Sequence, residues 1–153
     1  MTLEAGAAFV VNDDIDLAVL VKADGVHIGQ EDLPVEAVRR LVGEKMAIGL
    51  STHSPQEARD AVSRGADYIG VGPIFRTFTK EDVCDPVGLE YLEYVAKNVD
   101  IPFVAIGGIK QGNVADVVRK GAGCVAVITE IVEADDIGLA ISGLREAMQS
   151  AKE

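Results

Sequence analysis

Six short apolar runs, a helical pattern after each of them, and polar residues beyond nearly every run predict an α/β fold with parallel strands, a TIM-type (β/α)8 barrel truncated to six βα units. The runs are Phe9-Val10-Val11, Val26-His27-Ile28, Ala47-Ile48-Gly49-Leu50, Tyr68-Ile69-Gly70-Val71, Phe103-Val104-Ala105-Ile106 and Cys124-Val125-Ala126-Val127-Ile128. Their β-branched, continuous apolar character is that of buried strands. Asp14 opens the first helix, over Ile15-Asp16-Leu17-Ala18-Val19-Leu20, and Pro34 stands at the start of the next, Val35 to Val42. Ser54-Pro55-Gln56-Glu57 precedes Ala58 to Ser63. Such residues mark helix starts: a polar cap accepts an orphaned amide, and a first-turn proline has none to lose. Helices follow over Gly88 to Val99, Asn113 to Lys120 and Asp135 to about Lys152, with Gly65 and Gly121 at helix ends.

A weak repeat, Ala23-Asp24-Gly25-Val26, Gly65-Ala66-Asp67-Tyr68 and Gly121-Ala122-Gly123-Cys124, joins a helix end to a strand start three times. An open doubly wound sheet shares this order of elements, but it concentrates functional groups at one switch point. Here Asn12-Asp13, Gln30-Glu31-Asp32, Ser51-Thr52-His53, Thr77 to Lys80, Gly107-Gly108 and Thr129 follow successive strands. That distribution fits the active face of a barrel. Complete barrels run to about 250 residues. The 153 residues here, read as one partial barrel domain over 1–153, are short by two βα units, and the lack of a strand pattern before Phe9 puts the deficit at the N-terminus.

With 48% hydrophobic and 25% charged residues, the composition is that of a globular domain. Lysine and arginine number 14 against 25 acidic residues, and a net charge of −11 excludes a sequence-independent nucleic-acid or anionic-membrane surface. Any bound anion must be held by a local pocket. No apolar run is long enough to span a membrane and no basic segment leads into an apolar signal core, so the expected location is cytoplasmic. Cys84 and Cys124 lack metal-ligand spacing and read as buried or incidental thiols.

Carboxylates beyond adjacent strands, in Asn12-Asp13-Asp14 and Gln30-Glu31-Asp32, suit Mg²⁺, which takes one or two carboxylates plus substrate phosphate oxygens. Each motif alone also suits a helix cap or a turn, and their occurrence on consecutive strands favours the metal. Thr77, Thr79 and Lys80 offer hydroxyls and an ammonium to a pyrophosphate, or form a solvated loop. Gly107-Gly108 and Thr129 end the last two runs, where glycines let backbone amides approach a phosphate or simply make a tight turn. Ser51 could donate to an anion or cap the following helix. His27, inside a strand pattern, reads as packed, and neither His27 nor His53 has a metal-ligand partner at helical spacing.

Taken in order, these motifs resemble the thiamine phosphate synthase family. The resemblance runs through Phe9-Val10-Val11-Asn12-Asp13, Gly25 to Pro34, Ile48 to Ser54, Gly65 to Phe75, Thr77, Thr79-Lys80 and Ile101 to Ile109, nearly the whole chain. It implies a transferase that couples hydroxymethylpyrimidine diphosphate to a thiazole phosphate, giving thiamine phosphate and pyrophosphate. Pyrophosphate departure would leave a pyrimidine carbocation for the thiazole nitrogen to capture. The resemblance implies Mg²⁺ on Asp13 and Asp32, and Asn12, Ser51 and Lys80 on the pyrophosphate, Ser51 and Lys80 acting in catalysis. It further implies Thr77 and Thr79 on the thiazole, and Gly108, Ile128 and Thr129 on its phosphate. The ligands are thus phosphorylated small molecules, with no nucleic acid and no membrane.

Three features depart from the family. Its first two βα units, with their Gln-Leu-Arg-Glu-Lys strand motif, lie outside this sequence. Arg76 stands where proline is usual, and Thr129-Glu130 replaces the usual Ser-Ala. A related thiazole tautomerase shares the fold but carries histidine where Pro73 stands and lacks the paired acidic motifs, so the synthase is the better match. Six strands leave two open edges, at Phe9 to Val11 and Cys124 to Ile128. The edges predict a homo-oligomer or a partner chain that completes the barrel; the non-catalytic alternative is a phosphate-binding fragment dependent on such a partner.

Overall fold

A computed structural model describes residues 2–79 and 84–152. In chain order the elements are α1 (Thr2–Ala5), β1 (Val10–Asn12), α2 (Ile15–Val21), β2 (Gly25–Ile28), α3 (Val35–Val42), β3 (Ala47–Thr52) and α4 (Pro55–Ser63). They continue with β4 (Tyr68–Val71), α5 (Gly88–Asn98), β5 (Phe103–Ile106), α6 (Val114–Arg119), β6 (Val125–Ala126), α7 (Thr129–Val132) and α8 (Ile137–Ser150). All six predicted strands form. The run predicted from Cys124 to Ile128 pairs over only two residues, because the chain turns at Ile128 into the one-turn helix α7, which lacks a periodic apolar signature. The short α1 is likewise absent from the sequence reading. Both cysteines are free and exposed, so of the two readings, buried or incidental, neither thiol is buried.

The strands form one parallel sheet in the order β1-β2-β3-β4-β5-β6. Strictly sequential order sends every crossover the same way around, which is barrel winding; a doubly wound sheet would reverse its order part-way. Successive strand residues point to opposite faces. Val26, Ile28, Ile48, Leu50, Ile69 and Val71 are buried together with Ala18 of α2, Val38 of α3, Ala61 of α4, Leu92 of α5 and Val117 of α6. The opposite face carries His27, Gly49, Ser51, Tyr68 and Gly70, which are small or polar. No pairing joins β6 back to β1 among the described residues. Beside these two edges, apolar side chains stand in solvent: Leu20 of α2 is 79% exposed and Leu139 of α8 72%.

Thr52 is the only polar residue fully buried among the described residues. The Tyr91 phenol donates to its Oγ1 at 2.7 Å, and Oγ1 donates to the Gly70 carbonyl at 2.9 Å, which ties α5 to β3 and β4. Burial pushes the Tyr91 phenol up to about 12, its bond to Thr52 only partly opposing the shift. Thr52→Val should therefore destabilise the fold by about 1–3 kcal/mol, because it strands a buried hydroxyl. Tyr91→Phe should cost less, and the double variant no more than Thr52→Val alone. Urea unfolding checks this; additive losses would mean that the two hydroxyls do not share one bond.

Candidate active site

The carboxyl ends of β2 to β6 surround a cavity of about 540 Å³. Parallel pairing puts all of these ends on the same side, so segments remote in sequence meet there. Of the residues picked out by sequence, the cavity collects Ser51 from β3, Thr77 and Thr79 from the β4–α5 connection, Gly108 after β5, and Ile128 and Thr129 after β6. The Thr77 and Thr79 hydroxyls are 3.1 Å apart, and both are open to the cavity. Asn12, the last residue of β1, and Asp13 and Asp32, beyond the β1 and β2 ends, are exposed and do not line it. Lys80 lies outside the described residues.

Local capping resolves two alternatives that the sequence left open. Asp14, not Asp13, caps α2, its Oδ1 accepting the Leu17 amide at 2.8 Å. Asp13 sits just before it with φ at 65°, and its Oδ2 accepts from the Asn12 side-chain amide at 2.6 Å. Ser54 caps α4 by accepting the Glu57 amide at 3.3 Å, while Glu57 accepts the His53 amide at 2.8 Å. Ser51 is therefore free of capping. It instead meets His27, whose Nε2 lies 2.9 Å from Ser51 Oγ.

Asp13 and Asp32 carry the donor type that suits Mg²⁺. Asp32 Oδ2 accepts the Gly29 amide at 2.7 Å, so Asp13 and Asp32 each hold one carboxylate oxygen in a local bond. The second oxygen of each makes no hydrogen bond among the described residues. No group of three or more His, Cys, Asp and Glu suited to a metal occurs among those residues. Two carboxylates with the rest of the shell from water and substrate is the usual provision for Mg²⁺, whereas a structural zinc site would need four protein ligands.

The two departures from the family pattern find local partners. Arg76 is exposed and holds its guanidinium 5.3 Å from the Phe78 ring centroid, off the cavity lining. Glu130 turns its carboxylate to the Gln111 amide at 3.0 Å. Sequence reasoning named Gln30 and His53 without giving them a role, and it missed Lys110. Gln30 donates from its side chain to the Ser51 carbonyl at 2.6 Å, and His53 Nδ1 meets the Gly72 carbonyl at 2.5 Å. Lys110 is the only lysine or arginine lining the cavity among the described residues, and its place just after Gly107-Gly108 was the available signal. Cys84 also lines the cavity, but local desolvation and the negative charges of Glu57 and Asp85 push its thiol up and away from nucleophilic form.

A family model described as thiamine monophosphate synthase matches residues 1–131. A thiamine-phosphate synthase of Pelotomaculum thermopropionicum is 65% identical over 153 residues, covering 100% of this chain and 70% of that protein. One from Lawsonia intracellularis is 57% identical over 148 residues, covering 97% and 68%. Among solved structures, a thiamine phosphate pyrophosphorylase from Pyrococcus furiosus superposes with a TM-score of 0.89 at 38% identity, over 99% of this chain and 72% of that one. No helix among the described residues is long and apolar enough to cross a membrane.

Gly108 holds a φ of +62°, and a Cβ there would come within 2.6 Å of the Arg76 carbonyl oxygen. Gly108→Ala should destabilise the fold by at least about 1–2 kcal/mol from left-handed backbone alone, and should displace the β4–α5 connection. Gly112→Ala, where a Cβ meets nothing within 4 Å, should stay within about 0.5 kcal/mol of the parent. Thermal unfolding of the pair checks this, and equal melting temperatures would show that the connection yields.

Proposed function

Because the chain belongs to the thiamine monophosphate synthase family, we propose that it is a transferase coupling hydroxymethylpyrimidine diphosphate to a thiazole phosphate. The C–O bond between the pyrimidine methylene and the diphosphate breaks, pyrophosphate takes the electron pair, and the thiazole nitrogen supplies a new pair to the methylene carbon. The observation that supports this reading is the common cavity of Ser51, Thr77, Thr79, Gly108, Ile128 and Thr129. A leaving pyrophosphate gains charge as it departs, so donors already aimed at it lower the barrier.

In this reading Ser51, Asn12 and Lys80 hold the pyrophosphate, with Ser51 and Lys80 contributing to catalysis. Thr77 and Thr79 bind the thiazole, and Gly108, Ile128 and Thr129 bind its phosphate. Asp13 and Asp32 are the residues that would hold Mg²⁺, which when bound supplies positive charge against the phosphate oxygens. The thiazole tautomerase reading is not favoured, since the similar proteins are named as synthases and Pro73 occupies the position of that enzyme's histidine.

Residues 1–153 are proposed to act as one barrel domain whose open edges, at β1 and β6, are bridged by two further βα units. The relatives are longer by a stretch of that size, this chain spanning 70% of the first of them. The apolar side chains exposed beside both edges would then be covered.

The test is synthesis by the purified chain with both substrates and Mg²⁺, read as thiamine phosphate formed and pyrophosphate released. Ser51→Ala and Asp32→Ala should each lower kcat about 10²-fold, the usual scale for one lost donor or charge at a developing anion. Undiminished turnover in both variants would overturn the assignment of the pyrophosphate site. A second copy or a separate polypeptide covering the edges would appear in light scattering as a species heavier than the 16.1 kDa chain.

A further inference from the structure

Behind Ser51, the concave face of the sheet carries two hydrogen-bonded residues, His27 and Tyr68, that none of these roles uses. His27 on β2 and Tyr68 on β4 are the register partners of Gly49 on its two sides. A Cβ on Gly49 would overlap the Tyr68 hydroxyl and approach His27 Nδ1, and a Cβ on Gly70 would lie 3.1 Å from His27 Cε1. Two glycines therefore make room for an imidazole that reaches across three strands. Its Nδ1 is 3.0 Å from the Tyr68 hydroxyl and its Nε2 is 2.9 Å from Ser51 Oγ. His27 and Tyr68 are half-buried, while Ser51 opens on the cavity.

We propose that His27 and Tyr68 are positioning residues that fix the Ser51 hydroxyl as a donor toward a pyrophosphate anion in the cavity. The proposal rests on the transferase reading and extends it one layer inward. A phenol is a better donor and poorer acceptor than an aliphatic hydroxyl, and Tyr68 has no other hydrogen bond among the described residues, so it donates to Nδ1. Burial holds the Tyr68 phenol above its ordinary value and keeps that proton in place. An imidazole that accepts at Nδ1 carries its proton on Nε2, and from there donates it to Ser51 Oγ. Ser51 has no imidazole acceptor left, and its own proton is available to an anion. The opposite direction would spend the Ser51 proton on His27 and turn only lone pairs toward the cavity. No proton changes owner.

The test uses the full chain with ¹⁵N-labelled histidine, the His27 signals being assigned by their loss in His27→Gln. Wild type should show the Nε2–H tautomer, and Tyr68→Phe should mix the two tautomers. Calorimetric titration with inorganic pyrophosphate and Mg²⁺ should show about tenfold weaker binding for His27→Ala, with no further loss on adding Ser51→Ala. His27→Gln, with an amide near the position of Nε2, should restore affinity to within about twofold of wild type. An Nδ1–H tautomer, additive losses, or no pyrophosphate binding by wild type would each overturn the proposal. Should His27→Ala fail to fold, the tautomer and the conservative Tyr68→Phe still decide. If tautomer and non-additivity hold but the two substrates give no thiamine phosphate, the transferase reading fails and the positioning role stands. Turnover combined with additive losses fails the positioning role alone.

Discussion

Each strand of this protein pairs in parallel with the next one in sequence, and that register is what every other feature depends on. Parallel pairing sends all carboxyl ends to one rim, where loops from five strands meet at a single cavity. It also brings His27, Gly49 and Tyr68 into one row across three strands. A one-residue slip of β3 would put Ile48 or Leu50 on the concave side and Ser51 under the helices, losing the core and the cavity together. Core packing and site geometry are thus set by the same ladder.

The two faces of the sheet divide the labour by side-chain size. Outward positions are filled by Val and Ile that pack against alanine and valine from the helices, so the helices can lie close. Inward positions on β3 and β4 alternate glycine with Ser51 and Tyr68. A fully aliphatic concave face would pack well and bind nothing polar. The glycines remove contacts that β-branched residues would have made, and the hydrogen bonds of His27 replace them in part.

The strands were legible because parallel strands read as continuous β-branched runs, and Ser54-Pro55 and Asp14 were legible as caps because capping is local in sequence. Contacts between elements were not. Whether Asp13 or Asp14 caps α2 depends on backbone dihedrals, and the division between Ser51 and Ser54 depends on where β3 ends. His27 was read as packed, and it is half-buried, but its bonds to Ser51 and Tyr68 lie 24 and 41 residues away and require the register to be known. Arg76 stands where the family usually has proline, and its guanidinium is at the Phe78 ring. Glu130 stands where the family usually has alanine, and its carboxylate accepts the Gln111 backbone amide. In each case the side chain's length let it reach a partner that composition cannot name.

A chain with a net charge of −11 needs locally placed donors to take the phosphorylated ligands proposed for it, because its overall field repels them. Long-range steering is screened beyond about 8 Å at physiological ionic strength, so what matters is the first shell around the anion. Lys110 is the one lysine or arginine on the cavity lining among the described residues, and Glu31 lines it as well. Among the described residues, formal side-chain charge there cancels. Beside the Lys80 and Mg²⁺ of the proposed site, neutral donors then share in the anion's stabilisation: the Ser51, Thr77, Thr79 and Thr129 hydroxyls and the backbone amides around Gly108. A neutral hydroxyl can serve an anion only if its proton points at it, which makes orientation as consequential as identity. The imidazole behind Ser51 supplies that orientation at a place where an extra positive charge would have had to be buried.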